Sequence, residues 1–296
     1  MLRYLSAIGL SEYISQKKFN EFLHRCTKDP RLHATSLETN NSDELLVEAS
    51  VEMDTFALVL RGIKKGELIR FTGALPAVRT FRNQMNLNFW SAERLPSDYP
   101  VITGDDVLFG SPVEILLGRV QRLLRDQSKL PPTINVGLCG LSASGQILLG
   151  IVRTPEDDAA YKEEEEWRRS VARRIQSGDP HAKDLLEGDV SAMEDEVCSR
   201  LKNEDVFTIL EGMLIPGDKF TLGYYRILGT IQKIHKILNP YSEEWVYEFE
   251  LDVMGTPYNV YINPLDLEGV PAVGLRFYGT LYLVGEILWD EMQLLS

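Results

Sequence analysis

The sequence predicts an α+β protein that ends in a small β-barrel. Three observations support this fold class: strictly alternating apolar and polar residues towards the C-terminus, a second set of alternating segments in the first hundred residues, and a polar, helix-forming stretch between them. A period of two is typical of strands, because successive side chains point to opposite faces. The 296 residues also exceed the usual size of one domain. We therefore expect an N-terminal lobe at 1–152, a helical connector at 153–204 and a C-terminal barrel at 205–296.

The N-terminal lobe begins with helix and strand patterns. Residues 15–26 predict a helix, since apolar side chains recur at i, i+3, i+4 and i+7. Alternation then predicts strands at 44–53, 55–63 and 67–75, joined by short turns as an antiparallel meander. Residues 76–100 show little periodicity, so we expect mainly a loop there.

A helix start is predicted at Ser111. Ser111 is a suitable N-cap, Pro112 has the φ angle of a first helical residue, and Glu114 completes a capping box. Apolar residues then follow with helical spacing as far as Leu124. The sequence therefore predicts an amphipathic helix over 111–125.

Residues 140–145 contain two glycines between the apolar segments 134–138 and 146–152. The glycine spacing is that of a phosphate-binding loop, but the Lys-Ser/Thr pair that such a loop needs is missing. We predict a hairpin turn between two short strands instead.

The connector is rich in charge. From Pro155 onward, acidic residues precede basic ones at helical spacing, and apolar positions are sparse. A helix this polar is either a solvated connector or a surface that contacts a partner.

The C-terminal barrel is the best-patterned segment. Five strands are predicted, with a single helical turn at 263–269, and the strands cover 206–215, 225–238, 245–253, 258–262 and 275–287. The strand at 245–253 is predicted to place five apolar residues inside the barrel, namely Trp245, Tyr247, Phe249, Leu251 and Val253. Its other face carries the carboxylates Glu248, Glu250 and Asp252, which we expect to be solvated. Both SH3-like and OB-like topologies fit this pattern.

Composition limits the classes of partner. The formal net charge is −13, with 31 basic and 44 acidic residues. Nucleic-acid binding needs clustered Lys and Arg, so this class is disfavoured, as is an anionic membrane surface. The three cysteines are isolated, and no apolar run is long enough for a signal peptide or a bilayer span. We therefore expect a cytoplasmic protein with reduced thiols.

No cofactor, metal site or catalytic residue is predicted. The four histidines are dispersed, without the spacing of metal ligands. Exposed aromatic and basic groups of the barrel form the predicted contact surface. This surface comprises Arg226, Lys233, His235, Lys236, Tyr278 and Tyr282.

Four segments of the chain are similar to a known family. They are RYLSAIG at 3–9, LSASGQILL at 141–149, NEDVFTI at 203–209 and DLEGVPAVGLRFYG at 266–279. The chain resembles an uncharacterised bacterial family of about this length, known only as a domain of unknown function. The resemblance implies a bacterial cytoplasmic protein, and it supplies no catalytic residue.

Three functional hypotheses follow. The first is a non-catalytic binding or protein-interaction module, whose partner is a protein or a small molecule. The second is an enzyme with a site between the two lobes, because such sites leave no local signature in a sequence. The third is an OB-type nucleic-acid binder, which the acidic charge disfavours. The sequence leaves the oligomeric state open.

Overall fold

The structure, a computed structural model, is dominated by β-strands. It describes most of the chain, and the described residues are 2–26, 32–38, 45–94, 100–107, 112–120, 123, 131–151, 155–179, 181, 182, 184, 185, 188, 199, 202, 203, 206–218 and 221–288. Three α-helices are described: α1 (Gln16–Cys26), α2 (Pro155–Gln176) and α3 (Val206–Ile209). Short 3₁₀ helices are Leu2–Ile8, Ser11–Tyr13 and Pro264–Asp266. The α+β class is therefore present, with strands in the majority.

The strands form two sheets. They are β1 (Leu32–Glu38), β2 (Leu45–Met53), β3 (Phe56–Lys65), β4 (Leu68–Val78), β5 (Asn83–Arg94), β6 (Pro100–Asp106), β7 (Pro112–Leu117), β8 (Thr133–Leu148), β9 (Met213–Pro216), β10 (Tyr224–Leu238), β11 (Trp245–Val253), β12 (Thr256–Ile262), β13 (Leu267–Glu268) and β14 (Arg276–Ile287). The first sheet contains β1 to β4, and the second contains the other ten strands.

The first sheet is an antiparallel meander in the order β1-β2-β3-β4. Three of its strands and helix α1 lie where the sequence predicts them. Along β2, Val47, Ala49, Val51 and Met53 are buried, as the alternation requires. The strand β1 was missing from the prediction, because its sequence LHATSLE alternates poorly.

The second sheet is organised around the pair β8–β14. These two long strands are antiparallel over their whole length, from Arg276 opposite Leu148 to Ile287 opposite Val136. On one side, neighbouring strands pair in the order β14, β10, β11, β12 and β8. On the other side, neighbouring strands pair in the order β14, β7, β6, β5 and β8. The pairings thus close two rings that share β8 and β14.

The first ring differs from the predicted barrel in its membership. Its strands include β8, from residues 133–148, whereas the predicted barrel drew every strand from 205–296. The predicted strand at 206–215 is instead the short helix α3 followed by β9. The other four strands and the helical turn before the last strand are confirmed. The boundaries at 152 and 204, and the choice between SH3-like and OB-like topology, stay predictions.

The helix predicted at 111–125 is wrong over 112–120, since Pro112–Leu117 is strand β7 and residues 118–120 are not helical. Residue 123 is helical, and residues 121, 122, 124 and 125 lie outside the described residues. Glu114, the second residue of the predicted capping box, has distant partners instead. Its carboxylate accepts a hydrogen bond from Gly223 N, and its N–H donates one to the Tyr225 hydroxyl. Residue 111 itself lies outside the described residues. Tertiary contacts here override a local signal.

The loop predicted at 76–100 is wrong over most of its described residues, although 79–82 do connect two strands and 95–99 lie outside the described residues. Strand β4 continues to Val78 and β5 covers Asn83–Arg94. A register shift lies between Asn88 and Ser91, and this irregularity interrupts the alternation that would have identified the strand.

The hairpin predicted at 140–145 is absent, because β8 runs without interruption through this segment. Its glycines serve close packing. A Cβ atom on Gly145 would lie 2.3 Å from Cε2 of Phe277, which fills the space beside the strand. Glycine in a strand interior has this use where another group approaches closely.

Two hydrophobic cores explain the burial along β11. One lies inside the rings and contains Phe249, Leu251 and Val253, whereas the other lies between the meander and the outside of β8, β11 and β12. Val246 belongs to this second core. Trp245, predicted to be inside, is therefore 53% exposed, and Tyr247 is only half-buried.

No helix among the described residues has the length and apolar character that a membrane span needs.

Candidate functional site

A cleft of about 440 Å³ lies against one face of the meander. Its described lining is mostly polar and charged, and comprises Glu48, Ala49, Ser50, Glu52, Val59, Arg79 and Arg119. Strands β2 and β3 supply the wall, Arg79 follows β4, and Arg119 follows β7. The cleft is therefore built from residues that are far apart in the sequence.

The alternation of β2 positions the acidic wall. Glu48, Ser50 and Glu52 share one face, while Val51 on the other face is fully buried in the core. The Ser50 hydroxyl donates a hydrogen bond to Oε1 of Glu52. The strand thus presents two carboxylates and a hydroxyl side by side.

The inner end of the cleft is fixed by a buried ion pair. Arg61 Nε lies 3.3 Å from Oε2 of Glu48, and both side chains are buried. Arg61 Nη2 also donates to the carbonyls of Leu117 and Gly118, at 2.7 and 2.6 Å. The backbone N–H of Val120 donates to the same Glu48 oxygen. This network ties the meander to the end of β7.

At the outer end, Arg119 is shared by two carboxylates. Its Nη1 donates to Oε1 of Glu286 at 2.7 Å, and its Nη2 donates to Oε1 of Glu52 at 3.1 Å. Glu286 lies on β14 and Glu52 on β2, so one guanidinium joins the two sheets. Charge-assisted bonds of this length are among the stronger hydrogen bonds in proteins.

Arg79 approaches the same carboxylate from the other side. Its Nε lies 3.0 Å from Oε2 of Glu52. This oxygen has no hydrogen-bond partner among the described residues, so the Arg79 N–H is misaligned and the contact is a charge contact only. Arg79 and Arg119 keep 51% and 34% of their side-chain surface exposed. Two guanidinium groups therefore face the cleft and can reach a ligand.

Burial raises the pKa of Glu286 to about 7. Arg119 opposes this effect because it stabilises the carboxylate, while the charges of Glu48 and Glu52 add to the increase. Glu286 is 19% exposed in its side chain, so desolvation is the main cause. This carboxyl group titrates near neutral pH, unlike an ordinary glutamate.

The structure places the predicted contact residues in two groups, one where β10 pairs with β14 and one where β10 pairs with β11. Arg226 lies opposite Thr280, between Tyr278 and Tyr282 along β14, so these three residues share a face. Tyr282 packs between Tyr4 and Tyr224. Tyr278 packs edge-on against Phe207. Both tyrosines are half-buried, and their role in a contact surface stays a prediction.

The other three predicted residues lie further along β10. Lys233 pairs with Glu250 at 3.0 Å, and Lys236 lies over the ring of Tyr247. The ring of His235 lies 3.5 Å from Nη1 of Arg82. Lys233 and His235 point to one side of β10 and Lys236 to the other, so the six residues do not form one patch.

Glu248 corrects the prediction of a solvated carboxylate row. It is 1% exposed, and its Oε1 accepts hydrogen bonds of 2.8 Å from both Asn259 Nδ2 and the Tyr261 hydroxyl. Arg82 lies 3.2 Å from the same oxygen. Because β11 packs on both faces, this carboxylate needs polar partners inside the protein.

Sequence reasoning did not single out the cleft residues. One signal was available: Glu48, Ser50 and Glu52 alternate with apolar residues along one strand, so the three polar side chains fall on one face. The helix predicted at 111–125 includes Arg119, so the sequence does not reveal that Arg119 lies beside Glu286. Among the described residues, no group of three or more His, Cys, Asp or Glu side chains is placed to hold a metal ion.

Residues 96–285 match the model of a family described as "Domain of unknown function, E. rectale Gene description (DUF3881)". The chain belongs to this family. The DUF3881 segment includes Arg119, while Glu48, Glu52, Arg61 and Arg79 precede it. No curated protein and no solved structure matches the chain. The bacterial origin implied by the resemblance stays a prediction.

Proposed function

We propose that the chain is a non-catalytic binding module that takes a small polar ligand into the cleft between Glu48 and Arg119. One observation carries this proposal: Arg79 and Arg119 come from different elements, approach the same Glu52 carboxylate and remain partly exposed. Guanidinium groups offer several hydrogen-bond donors in a fixed plane. Two of them at one cleft are suited to holding a polar molecule.

The size and rigidity of the cleft support this function. A volume of about 440 Å³ falls within the range of roughly 300–1,000 Å³ that small-molecule sites occupy. The buried pair Arg61–Glu48 fixes the inner wall through bonds to the backbone of residues 117, 118 and 120. A preformed wall reduces the entropy lost when a ligand binds.

The chemistry of the lining favours binding over catalysis. Among the described residues that line the cleft, the hydroxyl of Ser50 donates to Glu52, and no histidine accompanies it. Covalent catalysis needs a nucleophile with a base in hydrogen-bond reach, commonly a histidine. The arginines are paired with glutamates and suit recognition.

A thermal-shift screen with a library of polar metabolites tests the proposal. A ligand should raise the melting temperature of the wild-type protein and of the control variant Arg70→Gln, in which an exposed arginine of β4 is replaced. The same ligand should fail to stabilise Arg79→Gln and Arg119→Gln. Equal stabilisation of all four proteins, or conversion of the ligand to a product, would contradict a binding function in this cleft.

A second candidate is an enzyme that uses the same cleft, and the carboxyl group of Glu286 favours it. Burial raises its pKa to about 7, where a group can both donate and accept protons. In that case Glu286→Gln should abolish turnover of the ligand found in the screen while binding persists. Unchanged turnover in Glu286→Gln would remove this candidate.

The proposed location is the cytoplasm. It is supported by Cys139, which is buried and forms no disulfide, because reducing compartments maintain such thiols. Cys198 lies outside the described residues. Fractionation of cells that produce the protein tests this location, and recovery from an oxidising compartment would contradict it.

A further inference from the structure

The charges at the cleft balance when every group is ionised. Three arginines, Arg61, Arg79 and Arg119, face three glutamates, Glu48, Glu52 and Glu286. The set is then neutral. When one carboxyl group takes up a proton, the set carries a single positive charge. The protonation of one glutamate therefore decides whether the cleft attracts an anion.

The carboxyl group of Glu286 can change its charge near neutral pH. It is mostly buried on β14, and the groups that face it are Arg119, Glu48 and Glu52, with the thiol of Cys139 on β8 behind them. Glu48 already accepts bonds from Arg61 and from Val120 N. Desolvation of Glu286 favours its neutral form.

We propose that the cleft binds a small oxyanion, such as a carboxylate, sulfate or phosphate group, through Arg79 and Arg119, and that Glu286 competes with this oxyanion for Arg119. The inference rests on the proposed binding function and names its ligand class and its regulation.

Glu52 indicates the ligand chemistry, because it is an oxyanion already held between the two arginines. Arg119 Nη2 donates to one of its oxygens, while Arg79 Nε lies 3.0 Å from the other without forming a hydrogen bond. Arg79 donates through Nη1 to the exposed carbonyl of Asp54 at 3.4 Å, and its donors that are not aligned on Glu52 can turn to a second oxyanion in the cleft. Planar guanidinium groups match the oxygens of carboxylate, sulfate and phosphate.

The hydrogen bond between Arg119 Nη1 and Glu286 Oε1 sets the regulation. While Glu286 is ionised, it holds one edge of the Arg119 guanidinium and cancels its charge. Once Glu286 is protonated, Arg119 is free to turn towards an anion in the cleft. Oxyanion binding should therefore be accompanied by proton uptake, and a falling pH should strengthen it.

Titration calorimetry with sodium sulfate tests the inference, because sulfate keeps its charge over the relevant pH range. Ionic strength is held constant with sodium chloride, since screening alone weakens anion binding. The wild-type protein should bind sulfate up to about tenfold more tightly at about pH 6 than at about pH 8, because the pKa of Glu286 is about 7. Titrations in buffers of different ionisation enthalpy should report proton uptake near neutral pH.

Matched variants assign the effect to residues. Arg79→Gln and Arg119→Gln should lose sulfate binding, while the control Arg70→Gln should bind like the wild-type protein. Glu286→Gln, which is nearly isosteric, should bind at about pH 8 as tightly as the wild-type protein does at about pH 6, without proton uptake. Circular dichroism confirms that each variant is folded.

Two results would overturn the inference: sulfate affinity that is unchanged in Arg79→Gln and Arg119→Gln, or a pH dependence that persists in Glu286→Gln. Absence of sulfate binding to the wild-type protein would also overturn it. The binding function would then still stand if a neutral or cationic metabolite stabilised the wild-type protein but not the arginine variants. If no metabolite did so, both proposals would fail.

Discussion

Arg61 on β3 and Glu48 on β2 form a buried ion pair, and both side chains also form hydrogen bonds with the chain at the end of β7. Arg61 donates to the carbonyls of residues 117 and 118, and Glu48 accepts from the N–H of residue 120. An ion pair on the first sheet thus holds residues 117–120, at the end of β7 in the second sheet. It also forms the rigid inner end of the cleft.

Replacing Arg61 tests the strength of this junction. Arg61→Met should lower the free energy of unfolding by about 3 to 5 kcal/mol, because it leaves the buried Glu48 carboxylate without its cation. Urea unfolding followed by circular dichroism measures the change. Arg70→Met, at an exposed position of the neighbouring strand, is the matched control and should alter stability by less than about 0.5 kcal/mol. Equal effects of the two substitutions would contradict the buried pair.

Glu286 should make stability depend on pH. Burial raises its pKa in the folded protein from 4.5 to about 7, so the folded state binds the proton more tightly than the unfolded state does. The contribution of Glu286 to the free energy of unfolding should therefore be fully present below about pH 4.5. It should be lost as the pH rises from about 4.5 to about 7, by roughly 3 kcal/mol at most.

Glu286→Gln isolates this contribution. The variant has no carboxyl group to ionise, so its unfolding free energy at about pH 8 should exceed that of the wild-type protein by about 1 to 3 kcal/mol. The difference should shrink as the pH approaches about 5. Urea unfolding at several pH values provides the measurement, and a variant that is less stable than the wild-type protein at about pH 8 would argue against the buried carboxylate.

The buried and exposed carboxylates of β11 should differ sharply. Glu248→Met leaves the Tyr261 hydroxyl and the Asn259 amide without their acceptor, which should cost about 2 to 4 kcal/mol. Glu250→Met removes only a surface ion pair with Lys233 and should cost less than about 1 kcal/mol. Thermal unfolding compares the two variants. Similar costs would mean that both side chains lie in the same environment, as the sequence pattern alone suggested.

Gly145 should tolerate no side chain. Gly145→Ala brings a Cβ atom to 2.3 Å from Phe277, so the core must shift, at a cost of about 1 to 3 kcal/mol. Gly188→Ala is the control, because no atom of the described residues lies within 4 Å of the added atom. A melting temperature of Gly145→Ala equal to that of the control would contradict the continuous strand β8.

Local patterns identified most strands but not their environment. The alternation of Trp245 to Val253 predicts the strand correctly, but it predicts the wrong burial at the start of the strand. Trp245 is exposed there and Val246 is buried. When a strand packs on both faces, a charged residue in its sequence does not identify a solvated face. Glu248 is buried because Asn259 and Tyr261 donate hydrogen bonds to its carboxylate. The second core comes from the distant meander, which a local pattern cannot reveal.

The wrong prediction of a helix over 112–120 has a similar cause. Glu114 has the spacing of a capping box, but its carboxylate accepts from Gly223 and its N–H donates to Tyr225. Both partners are about a hundred residues away. The cleft depends on the same kind of contact, because Arg119 joins Glu52 to Glu286. Residue types in the sequence indicate the charges of a site, whereas only the fold brings them together.

The most direct test of this account is the pKa of the Glu286 carboxyl group, measured from its side-chain carbon by NMR. The assignment comes from the resonance that is missing in Glu286→Gln. We expect a titration midpoint of about 7, because the carboxyl group is buried beside Arg119, Glu48 and Glu52. A midpoint near 4.5, the ordinary value for a glutamate, would contradict the account. Glu286 would then be solvated and unable to control the charge of the cleft.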